Sequence, residues 1–130
     1  MSMWFVQRLM ANLPSHFVVG RQGEDVAVHY LRSLGYKIVG RNVRVGRHKE
    51  IDIVARDPYD HVLVFIEVKT RSRESEFVPE MNMTRSKKDA LCHAVRQWIA
   101  RREYEGGYRL DLVCVVEGRI MQHVKEMGWE

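Results

Sequence analysis

Residues Val62 to Lys69 read VLVFIEVK, apolar at every position except Glu67 and Lys69. Successive side chains of a strand point to opposite faces, so a strand apolar on both faces needs cover on both. Leu110 to Val116, LDLVCVV, has the same character with one charge at Asp111. Two such strands call for a sheet with helices on each side, which is an α/β arrangement.

The remaining pattern supplies those helices. Val26, Ala27, Tyr30, Leu31 and Leu34 line one face of a helix expected over Val19 to Leu34, with Gly35 at the left-handed position that ends it. Tyr36 to Arg41 reads as a short strand. Asn42 to Lys49 reads as an exposed, basic loop or strand end. Glu50 to Ala55 alternates as a second strand, with Ile51, Ile53 and Ala55 on one side and Glu50, Asp52 and Val54 on the other. Asp57, Pro58 and Asp60 provide turn chemistry before Val62. Arg71 to Met83 is polar and reads as a long loop. Thr84 can cap a helix carrying Leu91, Val95, Trp98 and Ile99 at helical spacing, expected to run to Glu103. After Leu110 to Val116, Glu117-Gly118 turns the chain into Ile120 to Val124. The resulting order is helix, three strands, helix, then one long and one small strand.

The chain has 130 residues, 45% hydrophobic and 29% charged, with three prolines and nine glycines, which excludes disorder and fibre and suits one core. The N-terminal stretch 1–18 is set apart as an extension. Its Met1 to Leu13 part is amphipathic and reads as a segment that packs on the 19–130 domain or on a second copy, so a homodimer is one expectation. It lacks the basic start and small-residue cleavage site of a signal peptide, and no apolar run reaches the roughly twenty residues of a membrane span. Cys92 and Cys114 lack paired metal spacing and read as reduced core residues of a cytoplasmic protein. The net charge of +4 suits a polyanionic partner.

The chemistry lies in the charges of the strands. Glu67 and Lys69 are two apart and emerge on one face. A hairpin about the Asp57 to Asp60 turn sets Asp52 opposite Glu67, so two carboxylates stand side by side. Adjacent carboxylates repel unless they share a cation, and an oxygen-rich pair suits Mg²⁺ or Mn²⁺. With Lys69 beside them, the three residues form a candidate phosphodiesterase centre. The plainer alternative is an ion pair within a sheet. Asp111 reads as a partner of Arg109, His29 as a surface residue, and Trp98 and Tyr30 as packing.

The blocks GRQGEDVAVHYLRSLGYKIVGRNVR (Gly20 to Arg44), KEIDIVA, VFIEVKTR and RLDLVCV together resemble the YraN family of bacterial proteins. That resemblance implies a restriction-endonuclease-like mixed sheet flanked by helices, similar to Holliday-junction resolvases. It implies Asp52 and Glu67 as ligands of Mg²⁺ or Mn²⁺, Glu24 as a first-helix support of the metal, and Lys69 as the group serving the nucleophile. The function expected is metal-dependent cleavage of DNA, branched or structured, with Arg44, Arg47, Arg71, Lys87 and Lys88 on backbone phosphates and Gln22 as a weaker contact. The alternatives are a non-cleaving nucleic-acid-binding module of the same fold and a protein-interaction domain. Lys49 stands where the family has glycine before the EID block, and Val78 where it has the glycine of an FG pair.

Overall fold

The two segments apolar on both faces lie side by side at the centre of one sheet. The computed structural model describes residues 15–47, 49–71 and 84–126, with side chains from residue 22 onward. Helix α1 (Ser15–Ser33) leads into strands β1 (Lys37–Val45), β2 (Lys49–Arg56) and β3 (Leu63–Arg71), then helix α2 (Arg85–Arg101) and strands β4 (Tyr108–Val116) and β5 (Arg119–Val124). The strands pair in the order β1-β2-β3-β4-β5. Only β3 and β4 are parallel, in register from Leu63 against Tyr108 to Arg71 against Val116, and the other three pairs are antiparallel. A parallel pair needs a crossover, and α2 lies within it.

The faces divide by period two. Val64, Ile66, Val113 and Val115 face α1, where Ala27, Val28 and Leu31 meet them. Leu63, Phe65, Leu110, Leu112 and Cys114 face α2 and its Leu91, Cys92, Val95 and Trp98. Phe65 is fully buried and sits edge-on to Trp98, ring centroids 5.3 Å apart. Burying one such aromatic contributes about 1.5–3 kcal/mol. Cys92 and Cys114 are free thiols inside this layer. No helix among the described residues is long and apolar enough to cross a membrane.

Several boundaries differ from the sequence pattern. Helix α1 begins at Ser15 instead of Val19. The segment 42–45, expected as loop or strand end, continues β1, because Val45 is buried and Val43 packs against the core between exposed Asn42 and Arg44. Ile51 joins the α2-side cluster while Ile53 and Ala55 face α1, so this end of the hairpin twists out of simple alternation. Helix α2 stops at Arg101, two residues early. The expected loop at 72–83 and the Met1 to Leu13 segment lie outside the described residues.

At the C-terminus of α1 Gly35, at φ +92°, accepts the left-handed conformation that ends the helix, and the Gly35 and Tyr36 N–H groups donate to Arg32 and Leu31 carbonyls. Tyr36 then enters a buried polar network. Arg109 donates to Asp57 at 2.7 Å, to Asp111 at 3.0 and 3.2 Å, and to the Tyr36 hydroxyl at 2.8 Å. His123 pairs with Asp111 at 2.8 Å, and its other ring nitrogen meets the Tyr30 hydroxyl at 2.8 Å. The network joins α1, the β2–β3 turn, β4 and β5. The Arg109–Asp111 pairing expected from sequence is present.

Burial pushes the Asp57 and Asp111 carboxyls up. The Tyr59 N–H and Arg109 outweigh it at Asp57, as do His123, Arg109 and the Glu126 N–H at Asp111, holding both below the ordinary carboxylate value. Carboxyls lowered by folding stabilise fully above their unfolded value near pH 4, and that stability is lost as pH falls through the folded values. Denaturant titrations should therefore show the midpoint falling steeply below about pH 4. Arg109→Met, which leaves two buried carboxylates uncompensated, should cost about 3–5 kcal/mol at pH 7. An unchanged midpoint for that variant would remove the network from this role.

Candidate functional site

The β2–β3 ladder is in register from Arg56 against Leu63 to Ile53 against Ile66 and stops there. Continuing that register sets Asp52 opposite Glu67. The N–H of Val68 is taken by the Asp52 carboxylate instead, N to Oδ2 2.8 Å, so a side chain completes what the strand leaves open. Glu67 and Lys69 follow on the same face, with Lys69 Nζ 3.6 Å from Glu67 Oε1 and both side chains largely buried. The sheet thus brings Asp52, Glu67 and Lys69 together.

Two carboxylates in one low-dielectric place cannot both ionise freely. Burial, then the Glu67 charge and a carboxyl contact with Glu67, push Asp52 up to about 7 against the opposing Val68 N–H and Lys49. Glu24 of α1 lies within the field of this pair. Its carboxyl is raised by burial and by Asp52, with Arg41 and Asn42 opposing. The Oε1 atom of Glu24 is buried without a hydrogen-bond partner. Such an atom costs free energy unless a further group satisfies it.

Gly23 is what lets α1 come this close. A Cβ there would collide with Thr70 Oγ1 on β3 and stand 2.9 Å from its Cγ2. The helix is also tied to β1 by Arg41 to Asp25 at 2.7 Å, an exposed pair of small energetic weight.

The basic candidates are spread around this centre. Arg44, exposed on β1, stands in register with Glu50, and Arg47 is exposed in the turn beside Gly46, whose φ is +67°. Arg71 ends β3, half-buried, its guanidinium donating to the Thr70 carbonyl at 2.8 Å. Lys87 and Lys88 occupy the first turn of α2, where Lys87 N–H donates to Thr84 Oγ1 at 3.2 Å. His48 lies outside the described residues, and His29 is exposed. Sequence reasoning passed over Lys49 and Asn42 as neighbours of the carboxylates. Lys49 was visible as a cation three residues before Asp52, whereas Asn42 required the fold.

The donor set is hard oxygen, which suits Mg²⁺ or Mn²⁺. Among the described residues no group of three His, Cys, Asp or Glu side chains is gathered closely enough to form a finished cage. Asp52 and Glu67 could hold a hydrated divalent ion, with Glu24 as a further carboxylate in their field.

The model of the uncharacterised protein family UPF0102 matches residues 23–115. A UPF0102 protein of Geobacter sulfurreducens is 42% identical over 99 residues, covering 75% of each chain. One from Pelobacter propionicus is 35% identical over 104 residues, 79% of this chain and 74% of its own. One from Oleidesulfovibrio alaskensis is 37% identical over 110 residues, 84% of this chain, and the match spans about half of that relative's length, 53%.

Two stability measurements check this geometry. A carboxyl raised by folding weakens the fold as pH rises from its unfolded value through its folded one. Asp52→Asn keeps an acceptor for the Val68 N–H and removes the repulsion with Glu67, so it should raise the melting temperature at pH 8 by about 2 °C or more, and not at pH 4. A loss at pH 8 would make Asp52 a structural ion-pair partner. Gly23→Ala should cost about 1–3 kcal/mol, partly recovered in combination with Thr70→Ala. An undisturbed single variant would contradict the close approach of α1 to β3.

Proposed function

The chain belongs to the uncharacterised protein family UPF0102, and from that premise we propose that it hydrolyses phosphodiester bonds of DNA with a divalent metal ion. The observation that carries this reading is the strained carboxylate pair Asp52–Glu67 with Lys69 on the same face. Such a pair is costly to a fold unless it serves a ligand. The orphaned oxygen of Glu24, whose carboxyl feels the Asp52 charge, adds a further hard donor in reach of a hydrated ion's shell in this reading.

Asp52 and Glu67 would hold Mg²⁺ or Mn²⁺, which supplies Lewis-acid stabilisation for a scissile phosphate and relieves the repulsion of the carboxylates. Lys69 neutralises charge developing on the phosphate and orients the attacking water through its ammonium group. Glu67 positions that ammonium through their ion pair. Arg44, Arg47, Arg71, Lys87 and Lys88 bind backbone phosphates, which fixes register and carries no sequence information. Branched or structured DNA is the substrate form we favour. A second reading, a non-cleaving nucleic-acid-binding module, draws on the use of the Asp52 carboxylate as an acceptor for Val68 N–H, a structural task in its own right.

The test is cleavage of linear, flap and four-way DNA by the full chain across a Mn²⁺ titration. Glu67→Gln and Lys69→Ala should each lower the rate by about a hundredfold or more while DNA binding persists. Affinity should fall steeply with salt, less steeply after Arg44→Ala and Arg47→Ala. Absence of wild-type cleavage on every substrate with salt-sensitive binding retained would favour the non-cleaving module. Absence of binding at low salt would end both readings.

A further inference from the structure

Beside the carboxylate centre, where α1, the end of β3 and the β4–β5 turn converge, lies a cleft of about 270 Å³. Gln22, Thr70, Arg71, Val115 and Glu117 line it. We propose that this cleft receives one unpaired nucleotide of the bound strand, which makes the substrate class DNA with an unpaired residue next to the scissile bond. The inference rests on the nucleic-acid reading above and specifies which form of nucleic acid the site takes.

Position is the first argument. In open α/β sheets ligands collect outside the carboxyl ends of parallel strands, and this cleft sits at that end of the parallel pair β3–β4. Its walls are continuous with the candidate centre: Gln22 is two residues before Glu24, and Arg71 two after Lys69. Thr70 and Val115 set the cleft on the α1 side of the sheet, so a strand held at the carboxylate centre reaches it over the end of β3.

Size and chemistry select the occupant. The volume falls below the roughly 300–1,000 Å³ of pockets for drug-sized ligands and is too small to admit a duplex. Val115 is fully buried and only backs the cleft, and half-buried Thr70 and Arg71 form its accessible floor. Arg71 is oriented by its bond to the Thr70 carbonyl and keeps further N–H groups for a phosphate. Glu117 and Gln22 are exposed at the rim. A carboxylate accepts from an exocyclic amino group, and an amide can pair with a base edge. One cation, one carboxylate and one amide around half-buried Thr70 complement a nucleotide whose base carries an amino group. They complement a bare anion poorly, because Glu117 would repel it. The turn that presents Glu117 is rigid: Glu117 and Gly118 both have positive φ, 52° and 74°, the pairing of a two-residue hairpin turn whose twist matches the strands.

The experiment uses full-length Glu67→Gln, so that binding is read without cleavage, and DNA hairpins carrying a single unpaired 2-aminopurine, cytosine or thymine, beside a fully matched hairpin. Unpaired DNA should bind about tenfold tighter than matched DNA, with a change in 2-aminopurine fluorescence on binding, and unpaired cytosine should bind tighter than unpaired thymine. Gln22→Trp, which fills the cleft from an exposed helix position, should bring the ratio of unpaired to matched affinity to about one. Glu117→Gln, which preserves the turn's shape, should flatten the cytosine-over-thymine preference while the protein melts as before. Equal affinity for matched and unpaired DNA, or a ratio unmoved by Gln22→Trp, overturns the inference even if wild-type protein cleaves DNA in Mn²⁺. A cleft-dependent preference in a protein that cleaves nothing supports the inference and removes only the hydrolytic reading.

Discussion

Arg109 carries a permanent charge into the interior at the start of β4, and the parts of the fold around it are arranged to answer that charge. Its guanidinium meets Asp57 from the β2–β3 turn, Asp111 from its own strand and the Tyr36 hydroxyl from the exit of α1. Through Asp111 and His123 the contact extends to β5 and back to Tyr30 of α1. A buried charge left unpaired costs several kcal/mol, so these elements are held in one relative placement. Apolar burial stabilises the sheet and helices without direction, whereas the forked hydrogen bonds of a guanidinium admit few geometries. The turn length, the end of α1 and the position of β5 are thereby fixed together.

The two ends of the parallel strands consequently differ in character. At the base, two carboxylates face one guanidinium and a histidine, and hydrogen bonds hold both acids below their ordinary values. At the opposite end Lys69 pairs with Glu67, Asp52 beside it is pushed up to about 7, and Glu24 adds an oxygen with no partner. Charge is thus balanced by hydrogen-bonded partners at one end and concentrated as neighbouring carboxyls at the other, the kind of imbalance that gathers at functional sites. The interruption of the β2–β3 ladder makes this possible. Were pairing continued past Ile53, the Val68 N–H would be taken by the neighbouring backbone, and Asp52 would lose the hydrogen bond that now holds its carboxylate between the strands.

Much of this was legible because it depends on local periodicity. The run VLVFIEVK announced a strand covered on both faces, and it became β3 between two helical layers. The pairing of Asp52 with Glu67 followed from a turn of known chemistry and a period of two, both short-range properties. The errors arose where the local signal was mixed. Val43 and Val45 were obscured by the basic residues between and around them, so the end of β1 read as an exposed loop or strand end. Ile51 seemed to belong with Ile53, because twist at the end of a hairpin leaves no mark on residue order. The link from Arg109 to Asp57, 52 positions apart, and the approach of Gly23 to Thr70 had no signal at all.

Residue order alone therefore determined the kinds of element and their sequence, and that acidic and basic groups would share a face of β3. Those outcomes rest on backbone geometry, whose repeats of 3.6 and 2.0 residues act within a few positions. Tertiary structure decided which charges are neutralised and which remain in excess. It set Glu24 beside Asp52, gave Lys49 and Asn42 their parts in that field, and opened a cleft between Gln22 and Glu117, 95 residues apart by their numbers. Charge balance and cavity shape depend on distances between segments remote in sequence, and those distances exist only once helices and strands have packed.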